Sequence, residues 1–243
     1  MTHPTHSAPH TSHTSHTPVP HTSVRNTARL LGAGLRALLV LTVVCGIAYP
    51  LAVTALAQAA FPHQANGSRI TADGKVVGSS LIGQTYDLPG RPGGSQEARP
   101  DLRWFQPRPS RGLGTNTVNT QYHLLLSGAT NKAGDSEELI RWITAAKAQV
   151  IRDNSVPGHP VPPSAVPPDA VTSSGSGLDP HISPAYARLQ VNRVAARNHL
   201  SPQQVRSLVD THTEPRTLGF IGEPRVNVLR LNVALRALTG EDK

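Results

Sequence analysis

The stretch SGSGLDPHISPAYARLQVNRVAARNHLS, residues 174–201, decides how the chain is read. Its first half alternates serine with Gly175 and Gly177 and then runs through Asp179, Pro180 and His181. Its second half starts a helix, because Ser183-Pro184 places a cap residue before a proline at the first helical position. A glycine-bearing loop that opens a helix can be a phosphate cradle, with backbone N–H groups converging on an anion. Here no lysine and no GxxxxGK[ST] spacing accompanies it. The stronger reading is a rigid corner: the glycines permit tight turns, Asp179 accepts local backbone hydrogen bonds, Pro180 stiffens the chain and Ser183 caps the helix. Within the helix, Gln190 shares a face with Ala187, Val191 and Val194. An unpaired buried amide costs about 1–3 kcal/mol, so Gln190 needs a partner, either inside the fold or in a partner subunit or nucleotide.

Further helices follow from the same grammar. Ser201-Pro202 with Gln204 fits a capping box, and a last helix from about Asn227 to Leu238 turns Val228, Leu231, Leu235 and Leu238 inward. Upstream, Ser136 to Asn154 is helical, with Asp135 as its cap, Glu138 completing a capping box, and Leu139, Ile143, Ala146 and Val150 on one face. Between these helices lies a proline-rich insert, 156–168, carrying six prolines, a stiff connection. Strand-like runs come earlier. Arg69–Ala72 and Lys75–Val77 flank Asp73-Gly74, a pair suited to a two-residue hairpin because both positions need φ > 0. Ser80–Gln84 continues as a strand, and Leu218–Pro224 reads as a short strand and turn. Residues 87–119 look irregular apart from Leu102–Phe105. Strands grouped early and helices grouped late make the class α+β.

Ahead of this domain, Ala37 to Ala60 contains no charged residue. At about 1.5 Å per residue such a helix covers the roughly 30 Å hydrocarbon layer of a bilayer. The span is assigned to residues 36–60, and Pro50 inside it is tolerated as a kink. A cleaved signal peptide is the rival reading, but its apolar core runs to only about 7–15 residues. Arg25, Arg29 and Arg36 precede the span, and Arg69 is the first full positive charge after it. That bias holds the N-terminus in the cytoplasm and makes residues 61–243 one extracytoplasmic domain. Ala48, Ala52, Ala55 and Ala59 recur at helical 4-3-4 spacing, beside Tyr49 and Pro50, and such small residues let a partner helix approach closely in lipid. Residues 1–35, with six histidines up to His21 among Thr, Ser and Pro, read as a disordered cytoplasmic tail with incidental metal affinity.

Composition removes several functions. The chain has 243 residues and a formal charge of +8, with 23 basic residues that are nearly all arginine. The arginines are dispersed and no zinc-ligand spacing accompanies them, so nucleic acid is not the expected partner. Cys45 is the single cysteine, which excludes an intrachain disulfide or a thiolate metal cage. His181, His199 and His212 are too scattered to nominate as ligands. No acid–base pair or nucleophile triad emerges, so no catalytic residue, metal or stably bound cofactor is expected.

With the elements placed, the sequence resembles the KdpC subunit of the bacterial potassium-transporting P-type ATPase. The resemblance runs from about Ala48 to Leu238. It rests on YPLAVTALAQAAFPHQANGS, VGSSLIGQ, the 174–201 stretch and GFIGEPRVNVLRLNVALRAL, in that order. It implies a non-catalytic subunit that assembles with a channel-like potassium-translocating subunit, a P-type ATPase catalytic subunit and a small single-span subunit. It also implies a catalytic-chaperone role that raises the ATP affinity of the hydrolysing subunit. The arginine bias puts the domain outside, whereas ATP is inside, so ATP contact is an implication of the resemblance only. The alternative function is a membrane-anchored extracytoplasmic binding or adaptor domain unrelated to transport.

Overall fold

The computed structural model describes residues 24–88, 99–109 and 127–240. The histidine-rich tail up to residue 23 and parts of the irregular region, 89–98 and 110–119, lie outside the described residues. The chain divides into two units, Met1–Phe61 and Pro62–Lys243.

Among its described residues, the first unit is one long apolar helix. Helix α1, Val24–Val43, passes through a π-helical turn, Val44–Ala48, into α2, Tyr49–Ala60. The helix starts earlier than the uncharged run, because Val24 to Arg36 is rich in leucine, alanine and arginine, all good helix formers. Within Val24–Ala60 an 18-residue stretch has a mean hydropathy of 2.2 and none of it is buried, so the helix is long and apolar enough to cross a membrane. Pro50 has no N–H to offer the carbonyl four residues back, and its ring crowds that carbonyl. The π turn lies directly before it, with the Tyr49 N–H reaching back five residues to the Val44 carbonyl. This wider turn takes up the proline without ending the helix. It closes at Ala48, so the spacing of Ala48, Ala52, Ala55 and Ala59 falls on regular α geometry, and all four are exposed.

The second unit is α+β. After the single turn α3, Pro62–Ala65, strands β1 (Arg69–Ala72) and β2 (Lys75–Ser79) form an antiparallel hairpin. Asp73 and Gly74 have φ of 52° and 73°, the left-handed pair that a tight hairpin turn demands. Ser80–Gln84 does not extend β2. The Ser79 hydroxyl accepts the Leu81 N–H, and the Gly83 N–H turns aside to the Leu178 carbonyl at 2.7 Å.

Helix α4, Glu137–Asn154, is capped by Ser136 rather than Asp135. Ser136 is the extended residue whose hydroxyl meets the Leu139 N–H, while Glu138 pairs with Lys132 at 2.6 Å instead of closing a capping box. The proline-rich segment that follows forms two single 3-10 turns, Pro163–Ala165 and Pro168–Ala170. Next come β3 (His181–Ile182), α5 (Pro184–Arg197), α6 (Pro202–Thr211), β4 (Thr213–Glu214), β5 (Arg225–Asn227) and α7 (Val228–Thr239). The three short strands make an antiparallel sheet in the order β3-β5-β4.

Each late helix starts where its cap falls. Ser183 accepts from Tyr186, Ser201 closes a full capping box with Gln204, and Asn227 accepts from Arg230. Their apolar faces meet in a valine- and leucine-rich core: Ala187, Val191 and Val194 of α5, Val205 and Val209 of α6, Leu231 and Leu235 of α7. Phe105 enters this core from the 101–109 segment and is fully buried. Leu238 lies outside it, 41% exposed, because it sits in the last turn of α7 beyond the helices that would cover it. Leu218–Pro224 is not a strand but the tip of the β4–β5 connection, closed by a single Thr217–Ile221 bridge.

The corner at 174–183 depends on one backbone conformation. Gly177 has φ of 69°, whereas Gly175 is not left-handed. We expect Gly177→Val to destabilise the protein by about 1–2 kcal/mol, the cost of a left-handed L-residue, while Gly175→Ala stays within about 0.5 kcal/mol. Thermal unfolding of the two variants in one detergent checks this; equal melting temperatures would refute the strained-corner account.

Candidate functional site

Three parts of the second unit converge around the corner: the loop at 83–84, the 101–109 segment and the loop at 128–130. Asp179 organises the corner. Its Oδ1 accepts the His181 N–H at 2.9 Å and lies 3.1 Å from His181 Nδ1, while Arg108 Nη1 stands 3.6 Å from its Oδ2. The Ser174 and Ser176 hydroxyls accept the N–H groups of Asp179 and Leu178, closing the turns around Gly177. Arg108 also donates to the Thr172 and Ser173 carbonyls at 3.3 and 3.2 Å. The 127–136 segment joins through Gly128 N–H to Ser176 O at 2.8 Å and through the Thr130–Ser173 hydroxyl pair at 2.7 Å. Pro180 presents its carbonyl to the Val228 N–H, which ties the corner to the start of α7.

Ser183 does more than cap. Its hydroxyl accepts the Tyr186 N–H and donates to Asp169 Oδ1 at 2.9 Å, and its own N–H reaches Asp169 Oδ2 at 2.7 Å. Gly83 is needed for a different reason. A Cβ there would stand 2.8 Å from the Asp179 carbonyl oxygen, closer than backbone tolerates.

Beside the corner, side chains replace a missing sheet. Residues 102–106 run between α5 and α7 without a strand neighbour among the described residues. The Gln190 amide pairs with the Gln106 backbone, accepting its N–H at 2.7 Å and donating to its carbonyl at 3.1 Å. Asn232 does the same for Phe105, at 2.9 and 3.0 Å. Asn198 donates to the Arg103 carbonyl at 2.8 Å. Arg193 takes the remaining carbonyls, bonding Leu102 O and, at 2.9 Å, Trp104 O, and also reaches Asn154 Oδ1 at 2.9 Å and Gln190 Oε1 at 2.6 Å. Arg193 is 1% exposed and every one of these acceptors is neutral. Burial pulls its pKa down to about 10, which still leaves it charged at neutral pH. Burial likewise pushes the Tyr186 phenol up to about 12. Arg193 and Tyr186 form part of the wall of an open cleft of about 330 Å³, together with Gln106, Arg108, Asp153 and Asn154.

The structure therefore gathers Gly177, Asp179, Pro180, Ser183 and Gln190 into one connected region. Gly175 sits at its edge with open space around it. Ala48, Tyr49, Pro50, Ala52, Ala55 and Ala59 belong to the other unit. Arg193, Asn232 and Asp169 went unread in the sequence. Arg193 lies three residues after Gln190 and so shares its helix face, a local signal; Asp169 pairs with Ser183 across 14 residues and Asn232 with Phe105 across 127. Among the described residues no group of three or more His, Cys, Asp or Glu is arranged to hold a metal ion.

Comparison with known proteins gives this arrangement its family. The family profile described as K+-transporting ATPase, c chain (KdpC) matches residues 31–237. The chain belongs to the KdpC family. It is 69% identical to the Potassium-transporting ATPase KdpC subunit of Streptomyces coelicolor over 88% of this chain and 95% of that one. The KdpC subunit of Streptomyces avermitilis is 66% identical, over 89% and 97%. That of Allorhizobium ampelinum is 47% identical, over 81% and 90%. The matched residues include both the long apolar helix and the α+β unit, so the two are parts of one KdpC subunit.

Two outcomes test the site as read. Arg193→Leu leaves buried acceptors at Leu102, Trp104 and Asn154 without a donor, at about 1–3 kcal/mol for each group left unpaired. We expect a loss of at least about 3 kcal/mol, read as a lower urea midpoint; a midpoint unchanged from the parent would refute the pinning role. The second concerns acid. Burial raises the Asp179 carboxyl, but the bonds from His181 and the charge of Arg108 outweigh it and hold the pKa below the ordinary value. The bonds from Arg103 do the same for Asp101, against its burial. A carboxyl with a lowered folded pKa contributes stability fully above about pH 4, its unfolded value, and loses it as pH falls through the folded value. Asp179→Asn should therefore flatten the decline of stability below about pH 4; an identical acid profile would show that Asp179 carries none of it.

Proposed function

We propose that this KdpC subunit works as an accessory, non-catalytic part of a high-affinity ATP-driven potassium uptake complex. In this reading it assembles with and stabilises a channel-like potassium-translocating subunit, a P-type ATPase catalytic subunit and a small single-span subunit. The observation that carries it is the family membership across both units, with an alanine stripe from Ala48 into α2 that is exposed on the long helix. Helices in lipid associate by close packing at small residues, so Ala48, Ala52, Ala55 and Ala59 offer a seat for a helix of another subunit. Tyr49 and Pro50 open α2 at the same level.

The arginines of α1 favour a cytoplasmic N-terminus and an extracytoplasmic domain. On that topology the family's chaperone role toward ATP acts at a distance. The corner at Gly175, Gly177, Asp179, Pro180 and Ser183 then serves as a rigid face for the transport subunits. Gln190 supports the fold: both ends of its amide are engaged with Gln106 and Arg193, which favours architecture over nucleotide contact.

Assembly and sidedness are tested on the same preparation. Leucine at Ala52 and Ala55 should lower co-purification of the other subunits, while Val53→Leu should not. Protease added to intact spheroplasts should digest the domain and leave a protected fragment of helix and tail. Equal recovery of all variants would remove the helix seat, and a domain resistant until lysis would reverse the orientation.

A further inference from the structure

The open cleft beside the corner holds polar groups that the fold leaves unanswered. It takes up about 330 Å³ and is lined by α4, α5 and the 101–109 segment, all within the α+β unit. Its two arginines are already engaged. Arg193 donates to Leu102, Trp104, Asn154 and Gln190, and Arg108 to the Thr172 and Ser173 carbonyls, with Asp179 beside it. Tyr186 is not answered in this way. It is 4% exposed and lines the cleft, yet its hydroxyl has no hydrogen-bond partner among the described residues. A phenol taken so far out of water normally finds a partner, and the cleft is where this one can meet it.

Asp153 lies nearby. Its side chain is 18% exposed, lines the same cleft and accepts no hydrogen bond among the described residues; the Arg152 Nε that pairs with it stands 3.5 Å off. The charge of Asp153 acts on both the Tyr186 phenol and the Arg193 guanidinium, so the three are neighbours. A second carboxylate, Asp87, is exposed at the rim and has no ion-pair partner among the described residues. Much of the remaining wall is aliphatic, with Pro100, Leu102 and Val150.

What is free decides which ligand fits. An anion would find both arginines engaged and would face two carboxylates. A ligand that brings N–H donors and positive charge at two depths, joined by an aliphatic chain, meets every unanswered group. We infer that this cleft binds an aliphatic diamine, with one ammonium on Asp153 and the Tyr186 oxygen and the other on Asp87 at the mouth. The inference does not rest on the proposed assembly, since each of these groups belongs to this chain.

The test uses the full chain in detergent with 1,4-diaminobutane as the probe, read by calorimetric titration and by the rise in melting temperature. We expect a single saturable site. The monoamine 1-aminobutane should bind more weakly by roughly twofold to fivefold, because the rim pair is exposed. Asp153→Asn should weaken the diamine at least about tenfold. Tyr186→Phe keeps the ring and should weaken it roughly threefold. Asp87→Asn should erase the preference for the diamine and leave 1-aminobutane unchanged. None of the three side chains bonds within the fold, so the variants without ligand should melt with the parent. Should Asp153→Asn fail to fold, Tyr186→Phe and Asp87→Asn carry the same test. Absence of saturable binding, undiminished binding by the folded variants, equal binding of butan-1-ol, or a site that takes inorganic phosphate instead would each overturn the inference.

Discussion

A buried guanidinium hydrogen-bonded to neutral acceptors is the constraint on which this domain turns. Taking a cation out of water costs several kcal/mol unless its donors are all answered. Arg193 meets that cost by spreading its bonds over two backbone carbonyls, Asn154 and Gln190. In doing so it holds residues 102–106 in the one position where Phe105 can fill the core. Every carbonyl of that segment, and the N–H groups from Arg103 to Gln106, have partners. Arg193, Asn198, Asn232 and Gln190 take its carbonyls in turn, and the N–H groups of Arg103, Trp104, Phe105 and Gln106 go to Asp101, Asn232 and Gln190. Buried peptide groups must be paired, and helices α5 and α7 supply from side chains what a neighbouring strand supplies in an ordinary sheet.

The same substitution of side chains for sheet runs through the fold. Its strands span only two to five residues, too short to anchor a core by ladder bonds. Asp169, Asp179, Ser174, Ser176 and Ser183 close the corner by bonding backbone, and Asn227 reaches across to the Ser80 carbonyl at 2.8 Å. A core poor in aromatic residues gains little from shape alone. Polar networks of this kind define a single arrangement because each alternative leaves a buried group unpaired.

What could be read from the sequence was local. Ser183-Pro184, Ser201 with Gln204, and Asp73-Gly74 each carry their signal within four residues, and each acts as read. The error at Asp135 was also local: two adjacent cap residues compete, and the backbone takes Ser136. Ser80–Gln84 has strand-like composition, but Gly83 is drawn to Leu178, a residue no short window contains. Gln190 announced that it needed a partner, yet its partner lies 84 residues upstream, and the Asn232–Phe105 pair spans 127. Sequence patterns show that a polar group is buried; only the fold shows what answers it.

On the reading proposed here, that rigidity bears on function. A subunit without catalytic groups changes turnover only by binding one state of its partner better than another. A soft domain would spread such a preference over its own internal motions and lose it. The KdpC domain instead locks its corner and its 102–106 segment by connected sets of hydrogen bonds. On that reading, contacts made at the corner or at the alanine stripe would discriminate between states of the ATPase by fit. The long helix carries no charge from Ala37 to Ala60. On the proposed topology, any influence on ATP affinity passes through the packed contacts between subunits.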